Sequence, residues 1–243
     1  DALFQGDGVS LRRAPNGVMT LLLERKENLI NPEMVALLSD AIAVAEAAEH
    51  PKALIITASG KFFSNGLDVG WMSANPKSAP EMIESFWRVL GRILVMDCRT
   101  VAAINGHGFG AGIFLGLACD WRVMRTERGF VNFPELNLGL RLSKGFAELA
   151  KSKLTPPTLR EGVLAGRRYG SSDALKAGIV DSEVEMDRLM VEAERVAEAG
   201  LPEQLNLANF NPTSFSQMKM ELYTDAYRAL TRGLVAALPD ARL

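Results

Sequence analysis

From Gly106 to Gly112 every second residue is glycine, and the run leads without a break into the apolar segment Ile113 to Ala118. A backbone lacking Cβ atoms at this density lets another molecule lie directly against its peptide groups. The preceding Val101 to Ile104 is apolar, has no helical spacing and ends in this turn, so it reads as a buried strand. The expected order is strand, bare turn, buried helix. A helix that starts beside such a turn leaves N–H donors without partners, and they point toward whatever binds there. This is a place suited to negative charge. The alternating spacing does not match the dinucleotide fingerprint, and no Gly-Lys-Ser ending of a phosphate loop follows.

Further along, Glu135 stands in Asn132-Phe133-Pro134-Glu135-Leu136, a carboxylate among apolar neighbours. Desolvation there would raise its pKa. Backbone donors followed by a poised base outline enolate chemistry. Phe114, Phe130 and Phe133 are expected to keep water from that base, and Asn132 and Asn137 are candidates to orient it. Asp68 is the rival acid, although its place just after a glycine turn suits a helix cap better.

The remainder of the chain bounds the answer. With 243 residues, 48% of them hydrophobic, it can bury a sizeable core. A net charge of −2 with 27 scattered Lys and Arg gives no basic face for nucleic acid. No apolar run reaches the roughly 18 residues that a membrane helix needs. Cys98 and Cys119 both lie in apolar contexts and read as buried reduced thiols. With His50 and His107 as its two histidines, the chain is poorly supplied for a metal site or a Ser-His-Asp triad. The last residues, Ala241-Arg242-Leu243, resemble a peroxisomal import signal, so an import receptor is an expected partner and the peroxisome the expected location, with the mitochondrion as the alternative.

In chain order, Val9 to Arg13 and Val18 to Leu23 form a hairpin across Pro15-Asn16-Gly17. A helix capped by Asn31, with Pro32 in its first turn, runs to about Glu49. Ala53 to Thr57 is a strand, Ala74 to Pro80 a loop, and about Glu81 to Met96 an amphipathic helix. Lys144 to Lys153 and Thr158 to Ala165 read as helices, Ser171 to Gly178 as a capped helix and Ile179 to Asp181 as a short strand. From Met186 the pattern is helical, with breaks at Pro202 and Asn211-Pro212. Strands alternating with helices and then helices alone argue for an α/β core of repeated ββα turns in residues 1–185, with a helical region in 186–243. No internal sequence repeat accompanies those turns.

Five segments in this order resemble the crotonase (enoyl-CoA hydratase/isomerase) superfamily: Phe63 to Asp68, Ala103 to Gly112, Ala118 to Asp120, Phe133 to Leu140 and Ala174 to Val180. The resemblance implies a spiral α/β core and an acyl-CoA thioester substrate, with coenzyme A belonging to the substrate and no separate cofactor or metal. It assigns the backbone N–H groups of Leu67 and Ala111 to an oxyanion hole. Phe63, Asn65, Gly66 and Gly110 would face the substrate, and Arg25 and Lys26 would meet the coenzyme A phosphates. Hydratases of the family use two glutamates, whereas here Phe114 stands at the first position and Glu135 alone at the second. One acid and an apolar filling resemble the enoyl-CoA delta isomerase branch, as does Leu138 to Leu154. Other crotonase chemistry (weak hydration, dienoyl-CoA isomerisation or thioester hydrolysis) and a non-catalytic acyl-CoA-binding protein are the alternatives. The family also implies a homotrimer or hexamer, its subunits meeting at the helical region through residues such as Leu222, Tyr223, Tyr227, Leu230 and Leu234.

Overall fold

A computed structural model describes residues 1–200 and 205–236. Two sheets divide the strands. In the first turn of the core, strand β1 (Ala2–Gly6) pairs with β2 (Val9–Arg13), and β2 pairs with β3 (Val18–Leu23), both antiparallel. Helix α1 (Pro32–Ala47) follows, its first turn closed by Asn31, whose side chain accepts from the Met34 N–H.

The next three turns share a plan. Strand β4 (Ala53–Ala58) is followed by the short β5 (Phe62–Ser64), the small helix α2 (Val69–Ala74) and the long α3 (Ala79–Leu94). Strand β6 (Arg99–Ile104) is followed by β7 (His107–Phe109) and α4 (Ala111–Ala118). Strand β8 (Trp121–Arg125) is followed by β9 (Val131–Asn132) and α5 (Lys144–Lys153). In each turn the first strand joins a large sheet and the second a small one. After α6 (Pro156–Leu159) come β10 (Arg168–Tyr169), α7 (Ser171–Lys176) and β11 (Ser182–Val184). The large sheet has the order β1-β2-β3-β4-β6-β8-β11 and the small one β10-β9-β7-β5. Strands β3 to β11 of the large sheet run parallel, as do β5, β7 and β9 of the small one. This is the crotonase fold.

Strands β4 and β6 are buried along their whole length, as a parallel sheet covered on both faces requires. One face packs on α1, α3 and α4. The other is covered by helix α8 (Leu189–Ala199), whose Leu189, Ala193 and Val196 meet Ile55, Val101 and Val123. Helix α9 (Pro212–Leu222) and helix α10 (Thr224–Arg232) follow, and α10 inserts Ala226 and Leu230 against α3 and α5. Leu230 is therefore interior, whereas Leu222 and Leu234 are 74% and 60% exposed, so the apolar positions expected to share one face are divided between core and surface.

Some boundaries differ from expectation. Helix α3 starts at Ala79 rather than Glu81, because Pro80 is accepted in its first turn. The expected strand Ile179 to Asp181 is not one: Ile179 and Val180 are buried in the turn after α7, and the strand begins after Asp181, at Ser182–Val184. Arg122 sets that register, donating its Nε–H to the Ile179 carbonyl and pairing with Asp181 at 2.8 Å. Strand β1 has no marked sequence pattern and forms as a half-exposed edge. Asn211-Pro212 does not break a helix but begins one. Pro202 and Ala241-Arg242-Leu243 lie outside the described residues.

Candidate active site

Strands β5, β7 and β9 are neighbours and parallel, so their C-terminal ends lie along one edge of the small sheet. From those ends the chain enters Asn65-Gly66-Leu67, Gly110-Ala111 and Phe133-Pro134-Glu135. Three segments spread over about seventy residues of sequence thus reach one place because the same turn of chain is made three times.

The directions of two amides follow from their peptide planes. The Gly66 carbonyl accepts from the Ile30 N–H at 2.8 Å, so in the same trans peptide the Leu67 N–H points the other way, off that pairing. The Gly110 carbonyl accepts from the Phe114 N–H at 3.2 Å, so the Ala111 N–H, first of α4, points out of the helix start. Gly66 has φ +86°, and a Cβ there would lie 2.6 Å from the Phe109 oxygen and 3.4 Å from the Ala111 nitrogen. The two turns are therefore in contact, and only glycine allows it. Gly112 serves the same approach: a Cβ on it would fall 2.3 Å from the Ser64 carbonyl, so α4 could not otherwise sit on the end of β5.

Glu135 joins them from the third turn. Its Oε1 lies 3.8 Å from where a Gly110 Cβ would be, one residue from the Ala111 amide. Its Oε2 is buried with no hydrogen-bond partner. Burial raises the carboxyl pKa above its ordinary value, an effect that a backbone hydrogen bond at the residue itself only partly offsets. Neither asparagine holds it: Asn137 donates to the Gly166 carbonyl at 3.4 Å, and the Asn132 side-chain oxygen is itself buried without a partner. Asp68 caps α2, accepting from the Trp71 N–H at 2.9 Å, and does not line the cavity.

A cavity of about 200 Å³ opens on these groups. Of the residues expected at the site, Asn65, Gly66, Leu67, Gly110, Ala111 and Glu135 line it. Four others do not. Phe63 is fully buried, and its carbonyl accepts from the Asn28 side chain at 3.2 Å. Phe114 is fully buried behind the wall, its ring 4.5 Å from that of Phe146, which does line the cavity. Arg25 is tied to Asp7 at 2.9 Å and Glu33 at 2.7 Å, so its guanidinium is already neutralised, and exposed Lys26 lies off the cavity. The expected water-excluding aromatics shift likewise: Phe133 is in the core and Phe130 is 45% exposed beside His107.

Sequence reasoning missed the apolar lining: Val69, Met72, Ile83, Phe109, Leu140 and, from after α10, Val235. Val69, Leu138 and Leu140 are 51%, 57% and 49% exposed, large apolar side chains gathered at the mouth of one pocket. A larger cleft of about 580 Å³ lies between α1 and α3, but none of the glycine-turn amides opens into it, and its Arg92 is paired with Glu46. Chemistry, not size, singles out the smaller cavity. Among the described residues no group of three His, Cys, Asp or Glu could hold a metal ion. Cys98 and Cys119 are free and buried, their thiols pushed up to about 12 by desolvation.

Two outward amides and a desolvated carboxylate thus meet at one cavity on a spiral of paired strands. Residues 13–238 match the family described as enoyl-CoA hydratase/isomerase, and the chain belongs to that family. It is 31% identical over 207 residues to enoyl-CoA delta isomerase 2, peroxisomal, of Arabidopsis thaliana, covering 82% of this chain and 85% of that one. It is 30% identical over 243 residues to carnitinyl-CoA dehydratase of Shigella flexneri, covering 95% and 89%. The structure superposes on that of a probable enoyl-CoA hydratase from Mycobacterium tuberculosis with a TM-score of 0.84 at 24% identity, covering 93% of each chain. No described helix is long and apolar enough to cross a membrane.

Proposed function

We propose that the chain is an enoyl-CoA delta isomerase, moving the double bond of a 3-enoyl-CoA thioester to the 2-trans position as in fatty acid β-oxidation. The thioester oxygen accepts from the Leu67 and Ala111 N–H groups, which stabilise negative charge as it forms, at about 2.7–4 kcal/mol per donor. Glu135 removes the proton alpha to the thioester and returns it at the gamma carbon, so one base serves both ends. Its raised pKa suits both halves of that transfer, since a stronger base takes the proton more readily and still releases it.

The observation that carries this reading is the acid inventory. Among the residues lining the cavity Glu135 is the single carboxylate, and the other walls are mostly apolar. Activating a water for addition across a double bond calls for a second polar group to hold it, and position 114 supplies a buried ring. The likeness to a dehydratase at nearly equal identity favours the second reading, hydration or dehydration at the same hole. A side-by-side assay of 3-enoyl-CoA, 2-enoyl-CoA and dienoyl-CoA thioesters separates them. Isomerisation of the 3-enoyl substrate should exceed hydration of the 2-enoyl one by at least tenfold; the reverse order overturns the proposal. Thioester binding with no turnover of any of the three would favour the idle binding protein.

Residues 1–185 on this reading carry the acyl-CoA site, and 186–243 carry the contacts of a homotrimer or hexamer. The exposed Leu222 and Leu234 support that assignment. The relatives include peroxisomal plant isomerases and bacterial dehydratases, so the activity brings no single location with it.

A further inference from the structure

One wall of the cavity comes from a part of the chain that belongs to none of the three turns. After α10 ends at Arg232, the chain folds back and Val235 enters the apolar lining, opposite in origin to everything else there. Its backbone is fixed from both sides. The Val235 N–H donates to Glu84 Oε1 on α3 at 2.9 Å, and its carbonyl accepts from the Arg141 guanidinium at 2.5 Å. Glu84 follows Ile83, and Arg141 follows Leu140, and both of those apolar residues also line the cavity. The two bonds therefore hold Val235 against α3 and the loop that bears Glu135, rather than merely tethering the chain end.

We infer that Val235, positioned by Glu84 and Arg141, limits the length of acyl chain the cavity accepts. This rests on the reading of the site as an acyl-thioester pocket. With the thioester at Leu67 and Ala111 and the reacting carbons beside Glu135, the remaining acyl carbons must lie against the apolar lining, which includes Val69, Met72, Ile83, Leu140, Phe146 and Val235. Val69 and Met72 sit on α2, Ile83 on α3, Phe146 on α5 and Leu140 on the Glu135 loop. Val235 is borne by a non-helical segment after α10 that hydrogen bonds to two side chains hold in place. A cavity of about 200 Å³ is small for an acyl chain, so whatever bounds it decides which chains enter.

The test is kcat/KM for 3-enoyl-CoA substrates of short, medium and long chain, read as the ratio of long to short so that a general loss of fold or of base strength cancels. Val235→Ala should raise that ratio about fourfold for each methylene newly accommodated, the equivalent of ~0.8 kcal/mol per buried CH₂. Val235→Phe should lower it. Glu84→Ala should broaden the profile as Val235→Ala does, and Glu84→Gln, which keeps an acceptor for the Val235 N–H, should restore it. Ratios unchanged in both Val235 variants, with turnover intact, overturn the inference and leave the isomerase reading standing. A shift on Met72→Ala without one on Val235→Ala also overturns it, and moves the limit to α2. A wild-type protein that shows no calorimetric binding of any 3-enoyl-CoA overturns the acyl-thioester reading itself.

Discussion

Two buried carboxylates in this protein are provided for in opposite ways. Asp120, between α4 and β8, is enclosed by donors: Oδ2 accepts from the Thr100 N–H at 2.9 Å, the Thr100 hydroxyl at 3.1 Å and the Lys219 ammonium at 2.8 Å. Lys219 in turn donates to the carbonyls of Met96 and Cys98, both at 3.0 Å, so α9 is fastened to the core by a plug of charge with every proton engaged. Glu135, by contrast, keeps Oε2 buried without any partner, and its carboxyl is met only by a backbone hydrogen bond at the residue itself. A carboxylate surrounded by donors serves structure; one buried with an oxygen left unpartnered has its pKa raised by desolvation, which suits a proton carrier.

Glu135→Gln should break the comparison hardest, lowering isomerase turnover by about 10²–10⁴-fold while acyl-CoA binding, read by calorimetry, stays near that of the wild type. Retained turnover would put the base elsewhere. On the other carboxylate, Lys219→Met should cost about 3–5 kcal/mol in urea unfolding, because it removes the ammonium that pairs directly with the buried Asp120. A loss below 1 kcal/mol would mean that the plug is not what holds α9.

The smallest expected effect has the opposite sign. Burial raises the Glu135 pKa in the folded state, so the folded protein favours the protonated form. Its contribution to stability is present below the ordinary carboxylate range and is lost as pH rises through the raised value. Glu135→Gln should therefore be more stable than the wild type at neutral pH, by roughly 0.5–2 kcal/mol, with the difference fading in acid. Wild-type kcat/KM should rise with pH through the same raised value, as the base form appears. A variant no more stable than the wild type at any pH would mean that the carboxylate finds a partner in solution.

What was legible in the sequence is what backbone geometry demands. Gly66 and Gly112 must lack a side chain because a carbonyl oxygen occupies the place of the Cβ, and Pro134-Glu135 stands out as a charge in an apolar run. The repeated ββα plan could be read for the same reason, from short apolar strands broken by glycine turns. What was not legible depends on side chains meeting across the fold. Nothing local to Arg25 says that Asp7 and Glu33 will neutralise it, and nothing local to the aromatics says that Phe114 turns inward while Phe146 faces the cavity. Val235 is a hundred residues from Glu135, and only the packing of α10 on α3 and α5 brings it there.

The parallel run of β5, β7 and β9 separates duties along the chain. On the proposed reading, the first two rungs of the small ladder anchor the substrate's carbonyl, through main-chain atoms that any residue possesses, and proton handling is left to the third rung, through a side chain that a single codon can replace. A scaffold so divided can exchange one chemistry for another by editing the last rung while the grip on the thioester is inherited intact.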